Sequence, residues 1–128
     1  MGTEEKRIKK KVLVVDDERD IANILSIKLR ISNFDVVTAS NGKEALGMID
    51  AACPDIVLLD IIMPEMDGFE VLKKLRKDSQ LPVIAFSARP ENAHKALSLG
   101  ADAFLSKPFD IDDMIRRIGN LLAQQRLD

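Results

Sequence analysis

Val12-Leu13-Val14-Val15-Asp16-Asp17 places four apolar residues in a row, mostly β-branched, directly before two acids. A strand with one solvated face alternates apolar and polar side chains. An unbroken apolar run is the pattern of a strand buried on both faces, as in a parallel sheet covered by helices above and below. The residues that follow change period. Across about residues 18–29, Ile21, Ile24, Leu25 and Lys28 fall at the three-and-four spacing of one helical face. Asp17 or Glu18 is placed to cap the start of that helix and Asn33 to end it.

The same unit recurs along the chain. Val36-Val37-Thr38-Ala39 leads through the turn signal Ser40-Asn41-Gly42 into a helix near residues 43–51. Ile56-Val57-Leu58-Leu59 begins after Pro54 and stops at Asp60, and a loop with Pro64 and Gly68 opens a helix over about 69–77. Pro82-Val83-Ile84-Ala85-Phe86 stops at Ser87, and Pro90 and Gly100 bracket a helix near 91–99. Ala103-Phe104-Leu105 runs into Ser106-Lys107-Pro108. The last helix starts near Asp110, with Ile111, Met114, Ile115, Ile118, Leu121 and Leu122 along its inner stripe. Five strands alternating with five helices predict an α/β fold, an open five-stranded parallel sheet, doubly wound, in three layers. No repeat, linker or low-complexity stretch interrupts it. Residues 1–10 read as a charged tail, 11–123 as one domain and 124–128 as a C-terminal tail.

The bulk numbers narrow the function. The 128 residues suffice for one domain with a proper core. With 4% aromatic residues and neither Trp nor Tyr, the chain lacks platforms for stacking single-stranded bases. A net charge of -2 provides no basic field for DNA or an anionic membrane, so neither is an expected partner. Cys53 is the only cysteine and His94 the only histidine, which excludes an internal disulfide and a zinc site. No apolar run reaches bilayer-spanning length, and MGTEEKRIKK lacks the apolar core of a secretory signal. The expected location is cytoplasmic, and the N-terminal cations, Lys6, Arg7, Lys9, Lys10 and Lys11, read as a solubilising tail.

Open parallel sheets bind ligands at the carboxyl ends of their strands, near the point where strand order reverses. That rim receives Asp16 and Asp17 from the first strand, Asp60 from the third, Ser87 from the fourth and Lys107 from the fifth. Singly, each has an ordinary explanation: an acid caps a helix, a serine opens a turn, a lysine is solvated. Together they make a complementary set. Two carboxylates 4 Å apart repel by ~4 kcal/mol at an effective dielectric near 20, so three in one cleft raise one another's pKa or attract a cation. Magnesium suits oxygen ligands and keeps waters that phosphoryl oxygens can replace. A metal and an ammonium together match the charge of a transferring phosphoryl group. Asp60, at the end of a mid-chain strand, is the acid best placed as nucleophile, and its product would be an acyl phosphate.

These residues bring in a family resemblance. Val12-Leu13-Val14-Val15-Asp16-Asp17-Glu18, the stretch from Pro54-Asp55-Ile56-Val57-Leu58-Leu59-Asp60 to Met63-Pro64-Glu65-Met66-Asp67-Gly68, Pro82-Val83-Ile84-Ala85-Phe86-Ser87-Ala88 and Gly100-Ala101-Asp102-Ala103-Phe104-Leu105-Ser106-Lys107-Pro108-Phe109 resemble the receiver domain of two-component response regulators. Ordered motifs at the right separations are more specific than any one of them. The resemblance implies a flavodoxin-like (βα)5 three-layer sandwich. It implies Asp60 as phosphoacceptor, Mg2+ (or Mn2+) held by Asp16, Asp17, Asp60 and the Ile62 backbone carbonyl, Ser87 as switch hydroxyl, Phe104 as switch aromatic, and Lys107 as phosphoryl contact. Lys107-Pro108 becomes a candidate cis peptide. The expected partners are a sensor histidine kinase or a histidine phosphotransfer protein, and a second copy across the fourth helix, fifth strand and fifth helix. The expected chemistry is that of a signalling switch and not an enzyme, limited to self-catalysed phosphoryl transfer and autodephosphorylation.

Some positions depart from the family's commonest forms. Ser87 stands where Thr is frequent and Phe104 where Tyr is common. Ile62 and Arg89 occupy variable positions flanking the site, and their apolar bulk and long cation suggest a shielded, longer-lived phosphoryl group. A haloacid dehalogenase reading loses at Ile62, where that family needs a second acid. A nucleotide-binding reading has no glycine-rich phosphate loop to stand on. A pseudo-receiver that only docks is disfavoured by the full set of polar residues. No DNA-binding or enzymatic domain is expected after the fifth helix, which leaves open a free-standing receiver or a part of a longer regulator or hybrid kinase.

Overall fold

Five parallel strands form a single sheet in the order β2-β1-β3-β4-β5. They are β1 (Lys11–Val15), β2 (Asp35–Ala39), β3 (Ile56–Asp60), β4 (Val83–Ser87) and β5 (Ala103–Ser106). Each is followed by a helix: α1 (Arg19–Ile31), α2 (Gly42–Ala52), α3 (Gly68–Leu75), α4 (Asn92–Ser98) and α5 (Ile111–Leu127). This computed structural model describes residues 9–127, with side chains as far as Gln124. Most of the expected N-terminal tail, including Lys6 and Arg7, lies outside that description, whereas the expected C-terminal tail does not begin at 124: α5 continues through that boundary to Leu127, because Leu121-Leu122-Ala123-Gln124-Gln125-Arg126-Leu127 holds no helix breaker.

The unbroken apolar runs are buried on both sides, as their composition requires. Leu13, Val15, Val57, Leu59, Val83 and Ala85 face α2, α3 and α4, where they meet Ala45, Val71, Leu72, Leu75 and Ala96. The alternate residues Val12, Val14, Ile56, Leu58, Ile84 and Phe86 face α1 and α5, packing on Leu25, Leu29, Met114, Ile118 and Leu122. Each buried Val, Leu or Ile of this kind contributes about 1.5–3 kcal/mol, so both layers hold the sheet.

Local chemistry explains where the helices differ from expectation. The N-terminus of α1 is capped by neither Asp17 nor Glu18: Asp16 Oδ1 accepts the Glu18 N–H at 2.9 Å, and the Glu18 side chain makes no cap bond. The helix runs on to Ile31 because Asn33 takes a left-handed conformation with φ 76°. The Asn33 N–H then donates to Arg30 O at 3.0 Å and the Phe34 N–H to Leu29 O at 3.1 Å, the paired bonds of a Schellman ending. Its buried face is Ala22, Leu25, Ser26 and Leu29, rotated from the predicted stripe, and Ile24 is 51% exposed. Small Ala22 and Ser26 allow the helix to approach the sheet, and the Ser26 hydroxyl is satisfied by donating to Ala22 O at 2.7 Å. At the end of α3, Lys77 and Asp78 donate to Lys74 and Leu75, a tighter turn that stops the helix at Leu75.

Sheet order then fixes the site. The chain reverses direction across the sheet between β1 and β3, and a crevice opens outside the carboxyl ends of those two strands. Asp16 and Asp17 leave β1 there, and Asp60 ends β3 beside them.

Candidate functional site

Asp60 is held at the floor of the crevice by its own loop. Its Oδ1 accepts the Ile62 N–H at 3.2 Å, and the carboxylate is almost wholly buried, the residue being 3% exposed. The loop returns at Gly68, whose N–H donates to Ile61 O at 2.8 Å. A Cβ on Gly68 would sit 2.7 Å from Asp60 O and from Ile61 Cα, so only glycine permits this approach. Asp16 is equally buried. One of its oxygens accepts the Glu18 N–H at the entry to α1, whereas Oδ2 has no hydrogen-bond partner among the described residues. Asp17 is exposed at the mouth, and carboxylate oxygens of Asp16, Asp17 and Asp60 lie within 4.8 Å of one another.

Lys107 answers this negative charge from the end of β5. Its Nζ is 3.6 Å from Asp60 Oδ2, 3.8 Å from Asp16 Oδ2 and 3.5 Å from Glu18 Oε1, and it lies 5.2 Å from the centroid of the Phe86 ring. Burial alone would lower the lysine's pKa, but the Asp60, Asp16 and Glu18 carboxylates together hold it above its ordinary value. Burial, reinforced by the Asp16 charge, pushes Asp60 up to about 7. Burial raises Asp16 as well, against the Glu18 N–H and Lys107, which favour its charged form. One lysine therefore does not neutralise the cluster. The Lys107–Pro108 peptide bond is cis.

Ser87, Phe104 and Ile62 occupy three different settings. Ser87 is fully buried at the end of β4, its Oγ accepting the Arg89 N–H at 3.1 Å and an Asn92 Nδ2–H at 3.0 Å. Phe104 pairs in register with Ala85 and packs, half-buried, against the α2–α4 face. Ile62 is 45% exposed and, with Asp17, Glu18, Asp60, Ala88 and Lys107, lines a cleft of about 270 Å³.

The response regulator receiver domain family matches residues 12–119, nearly the whole of this fold. The chain belongs to that family. The receiver domain is 44% identical over 116 residues to a probable transcriptional regulator, ycf27, of Guillardia theta, covering 89% of this chain and 46% of that protein. It thus spans about half the length of the curated relatives it matches. The receiver domain of Francisella response regulator 1452 superposes with a TM-score of 0.87 at 39% identity, covering 91% of this chain and 99% of that one. The response regulator TrrA of Thermotoga maritima, solved in complex with Mg(2+)-BeF, superposes with a TM-score of 0.81 at 34% identity, covering 88% and 98%. A receiver domain is a signalling switch and not a classical enzyme.

Two residues of this receiver domain's site had no signal in the sequence. Glu18 reads there as a helix cap, and only the fold brings its carboxylate to Lys107. Asn92 reads as an ordinary helical residue, and its amide finds Ser87 through the turn between β4 and α4. Among the described residues no helix is long and apolar enough to cross a membrane.

Proposed function

We propose that Asp60 is the phosphoacceptor of this receiver domain, which starts at Lys11 and takes in the whole of α5 to Leu127. The observation that carries the reading is a buried carboxylate, raised to about 7, within 3.6 Å of Lys107 and beside two further acids. The donor is a phosphohistidine on a sensor kinase or histidine phosphotransfer protein, met in the cytoplasm. An Asp60 oxygen attacks phosphorus, the donor's N–P bond breaks and its electron pair stays on the imidazole nitrogen, which leaves an acyl phosphate on Asp60.

The acid cluster fits a divalent cation. Asp16 Oδ2 is buried and without a hydrogen-bond partner among the described residues, and oxygen-only donors suit Mg2+ or Mn2+. Asp16, Asp17, Asp60 and the Ile62 carbonyl are the proposed ligands, and the bound ion would offset the charge of the acids and of the incoming phosphoryl oxygens. Lys107 supplies the second positive charge. Ser87 donates its O–H to a phosphoryl oxygen once its side chain has turned toward Asp60, and Phe104 repacks into the space released. Inverting a 1:99 population requires about 5.5 kcal/mol of preference for the active state. Hydrogen bonds to charged groups, each about 1.5–3 kcal/mol, supply much of it. Ile62 and Arg89 flank the phosphoryl group and slow its loss to water. The altered α4–β5–α5 face, with Leu97 47% exposed on α4, carries the signal to a second copy or to an output partner.

Incubation with Mg2+ and acetyl phosphate should add about 80 Da, one phosphoryl group, to the intact protein, and Asp60→Ala should abolish the adduct. An adduct that persists in Asp60→Ala, or none in the wild type, would sink the assignment.

A further inference from the structure

The backbone of Ser87 is fixed by its pairing with β5. It ends β4, lies opposite Ser106 in register, and its carbonyl accepts the Lys107 N–H at 2.8 Å. Its hydroxyl can therefore reach the crevice only by side-chain rotation. A hydroxyl has two acceptor lone pairs, and both are engaged from the α4 side, by the Arg89 N–H at 3.1 Å and the Asn92 amide at 3.0 Å. The Arg89 bond is a local two-residue turn open to any Ser or Thr. The Asn92 bond is specific. It comes from a side chain five residues on, at the first position of the next helix, and it needs an amide donor of that length.

We propose that Asn92 is a positioning residue: its amide holds the Ser87 hydroxyl in the unphosphorylated orientation, and capture of a phosphoryl group at Asp60 breaks the Asn92–Ser87 bond. The inference rests on Asp60 being the phosphoacceptor. It gives the switch a direct tie to α4 besides the one through Phe104. Helix α4 has seven residues and buries only Ala96 fully, so its attachment to the sheet is slight and one tie at its first residue matters. Release of Ser87 frees that residue, and the start of α4 moves with the phosphoryl state.

Beryllofluoride with Mg2+ serves as the phosphoryl mimic, its affinity measured by calorimetry on the whole chain. Asn92→Ala should bind it about three- to tenfold more tightly than wild type, the factor worth one net hydrogen bond. Asn92→Leu, which keeps the bulk and removes the donor, should do the same. Affinity for Mg2+ alone should stay unchanged, because Asn92 is not among the clustered acids. In a Ser87→Ala background the Asn92→Ala effect should vanish, since the partner of the amide is gone. Equal or weaker beryllofluoride binding in both single variants, with the wild type binding normally, overturns the inference alone. Failure of the wild type to bind overturns the phosphoacceptor reading and this inference with it.

Discussion

In the metal-free protein, burial and the Asp16 charge raise Asp60 from 3.8 to about 7, so the folded state holds its proton more tightly than the unfolded chain does. Between those two values the unfolded state has lost the proton while the folded state keeps it. Stability therefore falls as pH rises through that window, and above about 7 the penalty is fully present. Asp60→Asn removes the charge and keeps the acceptor for the Ile62 N–H. It should stabilise the metal-free protein by about 1–3 kcal/mol at about pH 8, with the gain gone near pH 4. Urea titrations at the two pH values check this, and an equal gain at both would refute it. The strand-end positions of Asp16, Asp60, Ser87 and Lys107 were readable in the sequence because apolar runs end there. Glu18 and Asn92 were not, because what a long side chain or an amide reaches depends on how neighbouring elements sit.

Among the elements, helix faces were harder to read than strands. An apolar run buried on both sides has no face to assign, and so β1, β3 and β4 needed only their composition. Helix α1 carries Ile21, Ile24, Ile27 and Ile31 on one flank of Leu25 and Leu29, and periodicity alone could not say that small Ala22 and Ser26, on the other flank, would turn inward. The glycines make the same point. Gly47 in α2 and Gly119 in α5 have open space where a Cβ would go, and neither has a positive φ. Gly47→Ala and Gly119→Ala should each stabilise by about 0.5–1 kcal/mol through helix propensity alone. Gly68→Ala, forced against Asp60 O and Ile61 Cα, should instead destabilise by about 1–3 kcal/mol. Thermal melts of the three variants decide the matter, and a stabilised Gly68→Ala would show that the loop after β3 yields more easily than its packing implies.

At the scale of the whole molecule, strand–helix alternation was enough for a doubly wound parallel sheet, but the order β2-β1-β3-β4-β5 is not written in any single run. It follows from how the two faces are covered, and it alone brings the ends of β1 and β3 together. That meeting has a thermodynamic consequence for the entire fold. The acid cluster exists only in the folded chain, so a cation that binds there stabilises the folded state by mass action, about 2.7 kcal/mol at a concentration 100 times Kd. For a domain of this size the melting temperature should rise by about 10 °C. Protons and cation compete for the same oxygens, and with Asp16 and Asp60 both raised, lowering the pH from about 8 to about 5 should remove most of the Mg2+-induced shift. Melts with and without Mg2+ at the two pH values, repeated on Asp16→Asn combined with Asp17→Asn, test the whole chain of reasoning. A shift of the same size in the double variant, or one indifferent to pH, would mean that the ion binds elsewhere on the protein and that the three acids are not its ligands.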